Sequence, residues 1–150
     1  MKPLFATMML LLTSASYGQA TSAAAAADES AAIKATALDY AQGWYEGNGE
    51  RMERALHPEL AKRMVYTDKE SGKSRLSQMS AMTLTQATRE GHGKDTPKAE
   101  QQADVTILDR FGNVAIVKCE MSGWIDYMEM AKWNGQWKIV NVLWELKPKK

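Results

Sequence analysis

The dipeptide Asn134-Gly135 constrains this chain more than any other feature. It separates two runs rich in β-branched and aromatic residues, Trp124–Trp133 and Gln136–Leu146. Asn and Gly both tolerate the positive φ of a two-residue hairpin turn, so the pattern predicts antiparallel strands joined tightly. Such a loop sets Trp133 opposite Gln136. Counting back puts Met130 against Ile139, Met128 against Asn141 and Asp126 against Leu143. Side chains alternate along a strand. Asp126, Met128, Met130, Ile139, Asn141 and Leu143 therefore share one face, and Tyr127, Glu129, Ala131, Val140, Val142 and Trp144 the other. A one-residue slip would exchange one strand's set. Both faces are substantially apolar, whereas a sheet with one solvated face alternates cleanly with polar residues. Something covers the second face, and a partner subunit is the simple candidate.

Two further strands, at 103–109 and 113–122, precede the hairpin. The first half reads as helical. Ile33, Ala37, Tyr40, Ala41 and Trp44 form a stripe at helical spacing over 28–46, with Asp28 or Ser30 as cap. Gly47-Asn48-Gly49 stops that helix. A short second helix spans 50–56, with Met52, Ala55 and Leu56 inward, closed by Pro58. Residues 60–67 read as a helical turn running into a strand, and 69–74 as a polar turn. A third helix covers 78–89 with Met79, Met82, Leu84 and Ala87 inward. Helices first and antiparallel strands after is an α+β plan.

The amino terminus carries Lys2, an apolar core from Leu4 to Leu12 broken only by Thr7, and small polar residues up to Ala20. That is the layout of a cleavable secretory signal over 1–20, and the core is far shorter than the ~20 residues that span a bilayer. Residues 21–27 are an Ala-rich lead-in, either flexible or the start of the first helix. The domain then occupies 28–147, and 148–150 is a basic tail. The expected location is periplasmic or secreted, with no membrane attachment after cleavage. A single Cys119 forbids an internal disulfide, and its place in an apolar strand suggests a buried, inert thiol. Net charge is +1 with the signs interspersed, so no basic face marks a nucleic-acid binder.

Tyr40-Ala41-Gln42-Gly43-Trp44-Tyr45-Glu46-Gly47-Asn48, followed by Leu56-His57-Pro58-Glu59-Leu60-Ala61-Lys62-Arg63, resembles the putative lumazine-binding family of the nuclear transport factor 2-like superfamily. Asp126-Tyr127-Met128-Glu129-Met130 and Asn134 through Trp144 match its carboxy-terminal pattern in the expected order. The resemblance implies a cone-shaped α+β fold, a bent antiparallel sheet around three amino-terminal helices with a pocket at the open end. It also implies homodimers through the outer sheet face, here Tyr127, Glu129, Val140, Val142 and Trp144. The superfamily contains isomerases, dehydratases, hydrolases, cyclases and non-enzymatic binders, so fold leaves function open.

Several residues could carry chemistry. Asp126 shares a face with Met128 and Met130, where burial would disfavour its charge and suit a general base; the alternatives are an exposed strand end or an ion pair. His57 is either a helix-end cap or a proton shuttle at the pocket mouth. Arg63 and Tyr66 could bind an anionic or carbonyl group, or pair with Glu59 or Asp68. Asn141 either satisfies backbone or orients a ligand. Tyr40 and Trp44, four apart, are core, ligand platform or both. The pocket is expected to comprise Tyr40, Trp44, Arg63, Tyr66, Met128, Met130, Asn141 and Leu143. No metal-ligand spacing and no cofactor motif occurs. Three functions follow: a binder of a small hydrophobic or aromatic ligand, a cofactor-independent acid–base enzyme using Asp126 and His57, or a dimeric interaction module.

Overall fold

The computed structural model describes residues 15–148. The charged start and apolar core of the expected signal lie outside the described residues. α1 runs Ala15–Glu46, α2 Gly49–Ala55 and α3 Ala81–Arg89. The strands are β1 Leu56–Thr67, β2 Ser74–Ser80, β3 Ala103–Phe111, β4 Val114–Met121, β5 Trp124–Trp133 and β6 Gln136–Leu146. They form one sheet in the order β2-β1-β6-β5-β4-β3. Neighbours are antiparallel except for β1 and β6, which lie parallel, so the sheet is mixed.

α1 starts earlier than Asp28 because the Ala-rich stretch propagates helix instead of flexing. Asp28 and Ser30 are consequently interior positions, and Ser30 Oγ donates back to the Ala26 carbonyl. The expected stripe is inward: Ile33, Ala37, Tyr40 and Ala41 are buried, joined by Tyr45, while Trp44 is half-buried. Gly47, at φ 66°, ends the helix, and Asn48 caps α2 by accepting from the Arg51 amide. Met52, Ala55 and Leu56 are buried as expected.

The chain from 56 to 67 is strand throughout, without the helical turn expected near residue 60. Pro58 lies inside β1, within the stretch where the pairing with β6 shifts register, a position where a missing N–H is tolerated. β2 replaces the first part of the expected third helix. Its sequence, Ser-Arg-Leu-Ser-Gln-Met-Ser, has no clean alternation because it is an edge strand with both faces largely exposed. Pairing with β1 holds it, and Ser80 then caps α3 by accepting from the Thr83 amide. The later start changes the inward face: Leu84, Thr85 and Thr88 are buried, Ala87 is half-buried and Met82 points to solvent.

β5 and β6 have the expected ends, with Trp133 opposite Gln136 and Met130 opposite Ile139. Asn134 and Gly135 both take positive φ, as the turn requires. The register then slips by one residue. Glu129 pairs with Asn141, Met128 with Val142 and Asp126 with Trp144, leaving Val140 as the extra residue of a bulge. On β6 this exchanges the two faces beyond Ile139. Val142 and Trp144 turn inward, where Val142 is buried, and Asn141 and Leu143 turn outward. The inner sheet face, with Val117, Cys119, Met121, Met128, Met130 and Ile139, packs against the helices as the core.

Candidate functional site

The inner-facing side chains converge at one end of the core. Asp126, third in β5, is fully buried. Lys62 of β1 alternates with Leu60 and Met64, so it also points inward, and its ammonium forms a buried ion pair with Asp126. The Lys62 ammonium donates to Tyr40 Oη of α1 at 2.7 Å, and Tyr40 donates to Asp126 Oδ2 at 3.0 Å. Trp124, two residues before Asp126 and on the same face, donates its Nε1–H to Oδ2 at 2.8 Å. Lys62 also stands 4.7 Å from the centre of the Trp144 ring, a cation–π distance.

The electrostatics follow from burial. Desolvation pushes Lys62 below the ordinary lysine range, and the neighbouring Asp126 charge opposes that shift. Burial, reinforced by Asp126, drives the Tyr40 phenol well above its ordinary value, so it remains a proton donor. Cys119, opposite Asp126 on β4, is pushed up to about 12, by burial first and Asp126 second. It is an inert thiol at neutral pH, as its place in the strand suggests.

Over this floor lies a cavity of about 160 Å³. It is lined by Tyr40 and Trp44 of α1, Lys62 of β1, Met79 of β2, Leu84 of α3, Trp124 of β5, and Trp144 and Leu146 of β6. The tryptophans stand edge to face: Trp44 and Trp124 have centroids 5.9 Å apart at 87°, and Trp124 and Trp144 6.2 Å apart at 70°. Gly93 holds Trp44 from outside, since a Cβ there would fall 2.2 Å from the Trp44 carbonyl oxygen. Larger hollows lie elsewhere: one of about 440 Å³ on the outer sheet face, beside Tyr127, Glu129 and Asn141, and one of about 610 Å³ between residues 64–67 and 143–146, where β1 and β6 no longer pair beyond Arg63 and Leu143. We favour the smaller cavity as the site because it is roofed by helices and floored by buried charge.

Of the residues expected at a pocket, Tyr40 and Trp44 line this cavity, and Asp126, expected to carry chemistry, lies buried beneath it. Met128 and Met130 are packed in the core. The others lie elsewhere. Asn141 and Leu143 are on the outer face because of the bulge, and Asn141 donates to Glu129 at 2.8 Å. Arg63 donates to Gln78 on that same face, and Tyr66 borders the 610 Å³ hollow. His57 neither caps α2 nor approaches Asp126. It sits in β1 against Trp133, 4.8 Å between ring centres, and its Nδ1 accepts from the Glu59 amide. Of the five residues expected on the outer face, Tyr127 and Glu129 are there; Val142 and Trp144 face inward, and Val140 is the half-buried bulge residue. Lys62, Trp124 and Leu146 escaped the sequence reading, and Met79 and Leu84, expected inward on the third helix, were not expected at a pocket. Trp124 was within reach of that reading, because period two from Asp126 puts both on one face.

Asp126 accepts three hydrogen bonds, nearly filling its roughly four lone-pair sites. To take a proton from a ligand it would first have to shed one of these donors. The arrangement is well built to hold a rigid polar floor beneath an aromatic cavity. Among the described residues, no group of three or more His, Cys, Asp or Glu side chains could hold a metal ion, and no helix is long and apolar enough to cross a membrane.

The fold recurs in solved structures. A nuclear transport factor 2-like protein of unknown function from Silicibacter pomeroyi is 18% identical, covers 81% of this chain and 98% of its own, and superposes with a TM-score of 0.62. A nuclear transport factor 2-like protein with a cystatin-like fold from Novosphingobium aromaticivorans has 9% identity, 89% and 91% coverage, and a TM-score of 0.61. A ketosteroid isomerase-like protein from Erwinia carotovora atroseptica has 9% identity, 79% and 96% coverage, and a TM-score of 0.51. At these identities the likeness establishes the fold alone. No curated protein matches the chain. The family described as "Putative lumazine-binding" matches residues 28–145, and the chain belongs to that family.

Proposed function

We propose that this protein is an exported small-molecule-binding domain that takes its ligand into the cavity between Trp44, Trp124 and Trp144. The observation that carries the reading is the pairing of a tryptophan-lined cavity with a buried, fully engaged Lys62–Asp126–Tyr40 floor. Ligand sites are concave and mostly apolar, with a few fixed polar groups. Binding fits this floor better than general-base catalysis, because Asp126 is screened from the cavity by its own donors. Export rests on Lys2, the Leu4–Leu12 core and the small residues up to Ala20.

Thermal shift and native mass spectrometry against flat heterocycles, steroids and fatty acids test the reading. A ligand at 100 times its Kd stabilises by ~2.7 kcal/mol. That gain should vanish in Leu84→Trp, which fills the cavity. Full stabilisation retained in that variant would refute the site.

A second copy of the chain is the occupant we propose for the outer sheet face. Val65, Leu76, Tyr127 and Leu143 are 57%, 59%, 48% and 58% exposed there, which is costly for one sheet face to leave in water.

A further inference from the structure

The cavity also says what kind of ligand suits it, an inference that rests on the binding reading above. We infer that the ligand is a compact, uncharged aromatic ring recognised by tryptophan faces rather than by hydrogen bonds, and that a polar pteridine such as lumazine is disfavoured.

The polar groups at the floor are spent on one another. Asp126 accepts from Lys62, Tyr40 and Trp124, and Tyr40 both donates to Asp126 and accepts from Lys62. Asp126, Tyr40 and Lys62 are 0%, 2% and 3% exposed, so the ligand meets the lysine stem and ring carbon, not heteroatoms. The ammonium is further occupied by the Trp144 ring, whose centre lies 4.7 Å from it. A pteridine's carbonyl and N–H edge would therefore enter without partners. Each polar group left unpaired weakens binding by roughly tenfold or more.

Charge argues the same way. The Lys62–Asp126 pair is neutral overall, so an ionic ligand would lose its hydration and gain no counter-charge. Size and shape complete the case. The volume of about 160 Å³ is on the scale of the ~150 Å³ apolar cavity known to hold benzene. The edge-to-face Trp44–Trp124–Trp144 array leaves ring faces and edges for a further ring to join in the geometry aromatic pairs prefer.

The test uses the full chain with 15N-labelled tryptophan. The indole N–H signals of its five tryptophans are assigned by single Trp→Phe changes and followed during titration with toluene and, separately, with lumazine. Toluene is expected to shift Trp44, Trp124 and Trp144 saturably and to leave Trp133 and Trp137 in place, with lumazine at least about tenfold weaker. Lumazine shifting the same three signals as tightly as toluene would overturn the ligand class while leaving the cavity as a binding site. If neither compound moves them, or toluene moves only Trp133 or Trp137, both the ligand class and the site fail.

Discussion

Replacing Lys62 by Met removes the cation from a pair whose side chains are 4% and 0% exposed, leaving the Asp126 charge in the core. Breaking a buried pair from one side costs about 3–5 kcal/mol. Tyr40 and Trp124 still donate to the carboxylate, which favours the lower end, about 3 kcal/mol. For a domain of typical stability, ~5–15 kcal/mol, that is a large fraction. Asp126→Asn should cost a similar amount, because it strands the Lys62 ammonium instead. The double variant Lys62→Met/Asp126→Asn carries neither orphan charge and keeps an acceptor for Tyr40 and Trp124. It should lie within ~1 kcal/mol of the native protein, giving a coupling energy of roughly 5 kcal/mol or more between the two sites. Urea unfolding at pH 7, followed by tryptophan fluorescence, reads this as midpoint losses of about 1–2 M for the single variants, nearly restored in the double. Single losses below ~1 kcal/mol, or a double variant as unstable as the sum of the singles, would refute the buried pair.

Other consequences are as direct. The Cys119 thiol, with a pKa raised to about 12 in the fold, contributes stability that is fully present below its unfolded pKa near 9 and is lost as pH rises from there towards 12. Denaturation from pH 8 to 11 should therefore steepen in the native protein relative to Cys119→Ala, and a thiol reagent at pH 8 should label Cys119 only on unfolding; rapid labelling of folded protein would contradict its burial. Gly93→Ala pushes a methyl group against the Trp44 backbone and ring, and should cost about 1–3 kcal/mol while weakening ligand binding. A neutral Gly93→Ala would mean that the loop after α3 does not set Trp44. Leu143→Asp on the outer face should convert a dimer to a folded monomer in sedimentation, whereas a native protein already monomeric at high concentration would dismiss the second copy.

The parts of the fold that local chemistry dictates were the legible ones. Asn134-Gly135 located both strands of the last hairpin, and the α1 stripe from Ile33 to Ala41 located the helix face that meets the core. The bulge at Val140 was not legible. Val-Asn-Val-Leu-Trp alternates equally well in either register, and only packing against α1 and β1 decides that Val142 and Trp144 go inward. β2 gave no signal because an exposed edge strand needs no apolar face, so its residues merged into the helical pattern of α3. Lys62 was hidden by the same kind of error. Within a helical turn running into a strand it carried no inward signal; in a strand it alternates with Leu60 and Met64 and faces inward. Asp126 was found from its neighbours, but its meaning changed once Lys62 and Trp124 stood beside it.

The central claim is that the space between Trp44, Trp124 and Trp144 receives a ligand. Its most direct test is a crystal of the protein soaked in bromobenzene, with the bromine located by anomalous scattering. A bromine peak inside the cavity, above an intact Lys62–Asp126–Tyr40 floor, is the result expected. A cavity filled by Met79 and Leu146, or bromine only in the larger hollows elsewhere, would contradict it.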